Sequence, residues 1–167
     1  VQCRHKPRGD TFTYWYKNDY FGMPAPRPLS EGGGIWGAFT ESVIEGNIIR
    51  RVAPIGFHSR QRTPGKDFIL RGNYFETVGG DAIILEKFVD SLVESNLIKD
   101  ACAAPNYGES CYAAAWTANS TNILFQYNEA WGTRYGWWDS EAWDVDQNCD
   151  RVTYQYNYSH HNAGGAI

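Results

Sequence analysis

Short runs of alternating apolar and polar residues recur along this chain, and each run stops at an asparagine. The asparagines are Asn18, Asn47, Asn73, Asn96, Asn128 and Asn157, at spacings of 29, 26, 23, 32 and 29 residues. Their contexts match: Ser42 to Asn47 reads SVIEGN, Phe68 to Asn73 FILRGN, Leu92 to Asn96 LVESN, Ile123 to Asn128 ILFQYN and Val152 to Asn157 VTYQYN. Apolar or semi-apolar residues fall five and three positions before the asparagine, and two and five after it. Ile123, Phe125, Ala130 and Thr133 form one such set, and Val152, Tyr154, Ser159 and Asn162 another. A period of two before the asparagine is that of a strand with one buried face. The alternation breaks at the asparagine, so the chain bends there. Asparagine tolerates the left-handed conformation and bonds local backbone groups, and stacked copies can bond one another as amide ladders. A unit recurring at this length predicts a solenoid.

A third strand completes each unit. Gly80 to Leu85 (GDAIIL) recurs loosely as Cys111 to Trp116, Ser140 to Val145 and Gly164 to Ile167, with weaker copies at Gly34 to Ala38 and Ile55 to His58. No segment has a capped pattern of helical period. The expectation is an all-β, right-handed parallel β-helix of about six coils, each of three short strands, forming one domain over residues 1–167.

With these motifs the chain resembles the pectin-lyase-like superfamily of β-helix proteins over most of its length. The stretch Trp138 to Gly165 is most similar to secreted β-helix glycoside hydrolases and other polysaccharide-active members. Ala142 to Asp146 (AWDVD) and Gln155 to Gly165 (QYNYSHHNAGG) carry that similarity. The resemblance implies a secreted or periplasmic, carbohydrate-active protein.

Length and charge narrow the picture. The chain starts at Val1 without an initiator Met or a signal-type apolar run, and stops at Ile167 inside what should be the first strand of another coil. Solenoids need polar caps, and neither end supplies one, so an internal part of a longer protein is expected. Formal net charge is −4; nucleic acid, which calls for clustered Lys and Arg, is not an expected partner. No apolar run is long enough for a membrane span, and a monomer is expected. Cys102 and Cys111 flank a turn-rich segment that a disulfide would staple in a secreted protein; two ordinary thiols is the alternative. No C-x-x-C spacing suggests zinc.

Variable loops fall at Met23 to Gly34, Ser59 to Lys66, Lys99 to Ser110 and Gly132 to Ser140. Insertions in a solenoid gather on one face, which is commonly the binding face. The strongest chemical constellation lies beside them, at Asp139, Glu141, Asp144 and Asp146. With Trp143 and Val145 facing the core, Asp144 and Asp146 both face outward, about 7 Å apart along one strand. Paired carboxylates at that range suit acid and base, or acid and nucleophile, in glycoside hydrolysis. Mutual repulsion would raise one pKa. Glu86, two coils earlier in the same column, adds a further candidate at roughly 9–10 Å, and Glu141 a fourth. Such carboxylates also suit calcium, or only a solvated edge.

Candidate substrate-binding residues are His58, outward if Ile55 and Phe57 point in, together with Trp116, Trp137, Trp138 and His160. Trp36 and Trp116 should project beside the acidic column, since indole faces pack against sugar rings. His160 and His161, adjacent in a strand, should point opposite ways and form no simple ligand pair. A polysaccharide hydrolase needing no cofactor is the leading expectation. A calcium-dependent polysaccharide lyase and a non-catalytic glycan-binding or adhesin β-helix are the alternatives. The lyase is less favoured because few basic residues lie near: Arg60, Lys87 and Arg134.

Overall fold

A computed structural model describes residues 33–52, 55–59, 63–103, 113–134 and 139–167. Asn18, Cys3, Cys111, Arg60, Trp137 and Trp138 lie outside the described residues. Among the described residues sixteen strands, numbered in chain order, fall into three sheets. Sheet A contains β1 (Gly33–Gly37), β4 (Ile55–Ser59), β8 (Ile83–Glu86), β11 (Ala113–Ala118) and β14 (Glu141–Val145). Sheet B contains β2 (Val43–Glu45), β6 (Ile69–Arg71), β9 (Phe88–Glu94), β12 (Thr121–Gln126) and β15 (Asp150–Gln155), with β5 (Gly65–Lys66) also pairing β9. Sheet C contains β3 (Ile48–Val52), β7 (Tyr74–Val78), β10 (Leu97–Lys99), β13 (Glu129–Trp131) and β16 (Tyr158–His160).

The chain visits A, B and C in turn, and all these pairings are parallel. Among the described residues this is a parallel β-solenoid of about 4 turns, against the six coils expected over the whole chain. Among the described residues there is no helix, and so none long and apolar enough to cross a membrane.

The recurring asparagines sit at the B-to-C corner and form a continuous ladder. The Nδ2 of Asn47, Asn73, Asn96 and Asn128 each donates to the Oδ1 of the next, at 3.0 Å in every case. That same Oδ1 also accepts the backbone N–H of the asparagine before it. The second Nδ2 proton reaches a sheet B carbonyl of the preceding coil: Asn73 to Ile44, Asn96 to Leu70, Asn128 to Val93 and Asn157 to Phe125. Asn96 thereby makes two donor and two acceptor bonds, which is the whole capacity of a primary amide.

The left-handed residue at this corner is not the asparagine but its predecessor. Gly46 (φ 66°), Gly72 (60°), Ser95 (54°), Tyr127 (55°) and Tyr156 (54°) take that role. Division of labour explains it: one residue turns the chain, and the next keeps its amide inside the coil to satisfy the groups that the turn exposes. Each B-to-C connection is these two residues alone, from Glu45 to Ile48, Arg71 to Tyr74, Glu94 to Leu97, Gln126 to Glu129 and Gln155 to Tyr158. Variation in coil length falls at the other two corners, which bound sheet A.

Inside the coil the expected apolar positions are filled. Ile123, Phe125, Ala130 and Thr133 are buried, and Val152 and Tyr154 pack against the same core. Aromatic rings pack together in the interior, Phe57 on Phe68 at 5.5 Å and Phe68 against Phe88 at 4.9 Å, and the register partners Phe125 and Tyr154 stack along the axis at 4.4 Å. Parallel coils place like residues one strand spacing apart, about 4.8 Å, close to the separation favoured by offset rings. Small residues mark where sheets A and C converge. A Cβ on Gly56 would stand 2.5 Å from the Ala82 carbonyl oxygen and 2.8 Å from the Phe75 ring.

Two details differ from the sequence reading. Pairing Ile83 with Ala115, and Ile84 with Trp116, shifts the expected match between β8 and β11 by one residue. Val145 lies in the inward column of Ser59, Leu85 and Thr117, yet is 41% exposed, since β14 is the last strand of sheet A. Beyond it, only the chain at Gly165 and Ala166 accepts bonds, from Ala142 and Trp143 N–H.

The ladder predicts a graded response. Replacing Asn96 by Ala strands buried partners on both sides, at about 1–3 kcal/mol for each unsatisfied group. Asn96→Ala should therefore cost roughly 3–5 kcal/mol, from two or more such groups. Asn47→Ala, at the more exposed end of the ladder, should cost only about 1 kcal/mol. Urea denaturation followed by circular dichroism reads both; equal losses would mean the ladder is not cooperative.

Candidate functional site

Sheet A presents one outward column whose members pair in register: Trp36, His58, Ile84, Trp116 and Asp144. The alternation fixes it, because the next column along, Ile35, Phe57, Ile83, Ala115 and Trp143, turns into the core. Trp143 is in the core, as expected. Trp36 is 44% exposed, while His58, Trp116 and Asp144 are half-buried. Ile84 is only 3% exposed although it lies on this outer face and takes no part in the central cluster. Residues 53–54, 60–62, 104–112 and 135–138, outside the described set, all connect into or out of sheet A strands.

A second outward column runs beside the first. Glu86 pairs with Ala118, and Asp146 follows Val145 with its N–H on the Thr117 carbonyl, 3.0 Å away. Glu86 and Asp146 thus stand two strands apart, roughly 10 Å. Trp116, Asp144 and Asp146 come together at the β14 end. His58 does not join them, being three strands or about 14 Å from Asp144. It sits instead by Glu86, with Nε2 3.8 Å from a carboxylate oxygen. Lys87 Nζ approaches the other oxygen of Glu86 at 3.8 Å. Arg134 is drawn to Asp100, 3.9 Å away.

The carboxylates of β14 influence one another. Burial raises the pKa of Asp144, and the nearby charges of Asp146 and Asp139 push it the same way. Burial likewise raises that of Glu141, with Asp139 and Asp144 adding. Two backbone donors work against these shifts, the N–H of Val145 on Asp144 and that of Glu141 on its own side chain. Asp146 is more exposed and accepts the N–H of Gln147 at 2.6 Å. A carboxyl whose pKa is raised, beside a more exposed carboxylate, is an arrangement that suits acid–base chemistry.

Asp139, part of the acidic run but given no role of its own, acts on both carboxyls from beyond the buried Ser140. One contributor was not among the candidate residues. It is Tyr154. Its hydroxyl donates to the Asp144 carbonyl at 2.7 Å, and its ring contacts Trp143 at 6.2 Å. Burial followed by the Asp144 charge holds the Tyr154 hydroxyl well above its ordinary pKa, so it remains a donor. Tyr154 arrives from sheet B, and no local sequence signal places it against β14.

His160 occupies the outer face of sheet C, far from this column. Cys102 is disulfide-bonded, and Cys149 is free with its thiol 3.5 Å from the Thr117 carbonyl. Among the described residues, no group of three or more His, Cys, Asp or Glu is disposed to hold a metal ion.

The raised pKa values set the sign of a pH effect. A carboxyl whose folded-state pKa is raised favours folding fully below its unfolded value, and that contribution is lost as pH rises through the folded value. Asp144→Asn keeps the neutral form at every pH. Its melting temperature should exceed that of the native chain at pH 7, and the gap should close below about pH 4, near the unfolded aspartate pKa. Differential scanning calorimetry across that range checks the sign.

Compared with protein-family models, with curated proteins and with solved structures, the chain finds no match. The resemblance to pectin-lyase-like proteins stands at the level of the parallel β-solenoid fold.

Proposed function

We propose that the outer face of sheet A is the cleft of a secreted glycoside hydrolase acting on a neutral or weakly charged polysaccharide. The observation that carries this reading is the convergence of Trp116, Asp144 and Asp146 at the β14 end of the outward columns. Asp144, whose pKa is raised, holds the proton for the leaving glycosidic oxygen. Asp146, open to solvent, serves as base or nucleophile. The C–O bond breaks as Asp144 gives up its proton, and water supplies hydroxyl to the sugar and returns a proton to the enzyme. Glu141 and Glu86 are supporting carboxylates.

Trp116 stands one strand from Asp144, about 4.8 Å, a distance that lets its ring face pack on a bound sugar. His58 and Trp36 extend the column by two and three further strands, toward neighbouring sugar units. The tryptophans at 137 and 138 precede β14 in the chain and belong to the same proposal. The disulfide at Cys102 agrees with an oxidising compartment. The acidic balance around β14 disfavours polyuronates.

Reducing-end release from a panel of neutral polysaccharides tests the reading. Asp144→Asn and Asp146→Asn should each lower the rate by about 10²–10⁴-fold, the range for general acid–base groups, with circular dichroism unchanged. Activity that vanishes with a chelator and yields ultraviolet-absorbing unsaturated sugars would replace the hydrolase with the calcium-dependent lyase. Binding without turnover in the native chain would leave a glycan-binding solenoid.

A further inference from the structure

Adjacent residues of a strand point to opposite faces, and on that rule His160 and His161 cannot meet. They do meet. Strand β16 ends at His160, and His161 takes a left-handed backbone with φ 54°. That single dihedral swings the second imidazole around, edge-on to the first, with ring centroids 5.0 Å apart. The Nδ1 atoms of the two rings stand 2.7 Å apart.

The first ring is held on every side. His160 stacks on Trp131, one strand away in register, at 5.8 Å and 6°. Tyr158 flanks it with ring centroids 4.6 Å apart. Its Nε2 lies 3.0 Å from Glu129 Oε1. A carboxylate on Nε2 fixes the ring as the tautomer with Nε2–H, leaving the Nδ1 lone pair directed at His161. A carboxylate on the far nitrogen of an imidazole is also the usual support of a metal-ligating histidine.

At this separation the two rings share a proton, the Nδ1–H of His161 donating to the Nδ1 lone pair of His160, and a cation that takes the place of that proton meets both lone pairs. We propose that His160 and His161 form a binding site for a late first-row divalent cation of the copper or nickel type, bound through the two Nδ1 atoms, with Glu129 as the positioning carboxylate. Metal–nitrogen bonds of about 2.0–2.1 Å, as for zinc, put a tetrahedral pair roughly 3.4 Å apart and a right-angled pair roughly 2.9 Å apart. The observed 2.7 Å is closer to the right-angled pair. Square-planar and octahedral ions meet that geometry, and imidazole suits them. Two protein ligands leave the remaining positions to water, so the cation is exchangeable rather than structural. The site lies on sheet C and is independent of the sheet A cleft.

Nickel(II) is the probe of choice, since it does not oxidise the free thiol of Cys149. Calorimetric titration of the full chain with nickel chloride should give a one-to-one event that His161→Ala and His160→Ala each weaken at least tenfold. Glu129→Gln should weaken it by about 10–100-fold, the usual effect of losing a supporting carboxylate. Ring signals of His160 and His161 should broaden first in proton NMR of the native chain, a readout that needs no variant to fold. No binding, binding unaltered by His161→Ala, or broadening confined to other histidines would each overturn the site.

Discussion

The hydrogen bond between the amide of one asparagine and the amide of the next sets the frame on which everything else hangs. At every B-to-C corner the chain turns from one sheet into the next within two residues. Such a turn points backbone N–H and C=O groups into the coil, where water cannot reach them, and an unpaired buried group is costly. Each asparagine answers its own turn and part of the neighbouring one. The corner is thus solved once for the whole stack, and its solution forces neighbouring coils to be in register. Register then fixes the columns. Trp131 stands beside His160 because Asn128 and Asn157 are aligned three residues before them.

Much of this was legible in the residues because the ladder repeats and periodicity survives in a single sequence. The inward sets around Asn128 and Asn157 follow from a period of two measured from a fixed corner, and the burial of Trp143 and the outward placement of His58 and Asp144 follow from alternation within a strand. What resisted reading shares one cause: departures from ideal alternation. Loops before β11 hide a one-residue shift of register with β8, which period alone cannot detect. The left-handed residue was assigned to the asparagine on propensity, yet Tyr127 and Tyr156 take it, since satisfying the interior outweighs the local strain at the residue before. A similar left-handed residue, His161, reverses the expected divergence of the histidine pair. Tyr154 reaches Asp144 around a corner, a contact between residues of different sheets that no local pattern encodes.

The two candidate sites differ in kind. The sheet A face gathers carboxylates at one end of the stack and draws its electrostatics from partial burial and mutual repulsion. The sheet C face holds two histidines against aromatic rings and one carboxylate. Each relies on the flat, evenly spaced surface of a parallel sheet, where side chains from successive coils lie at a fixed interval.

The constancy of the two-residue corner has an evolutionary meaning. Coils of 23 to 32 residues coexist in one stack because all the surplus is placed at the corners that bound sheet A. Lengthening or shortening a connection there leaves the amide ladder untouched, so such changes carry little risk to folding. The solenoid can therefore vary the rim of one face freely while its opposite corner remains frozen. A lineage built this way can reshape what that face meets coil by coil, without having to rediscover the fold.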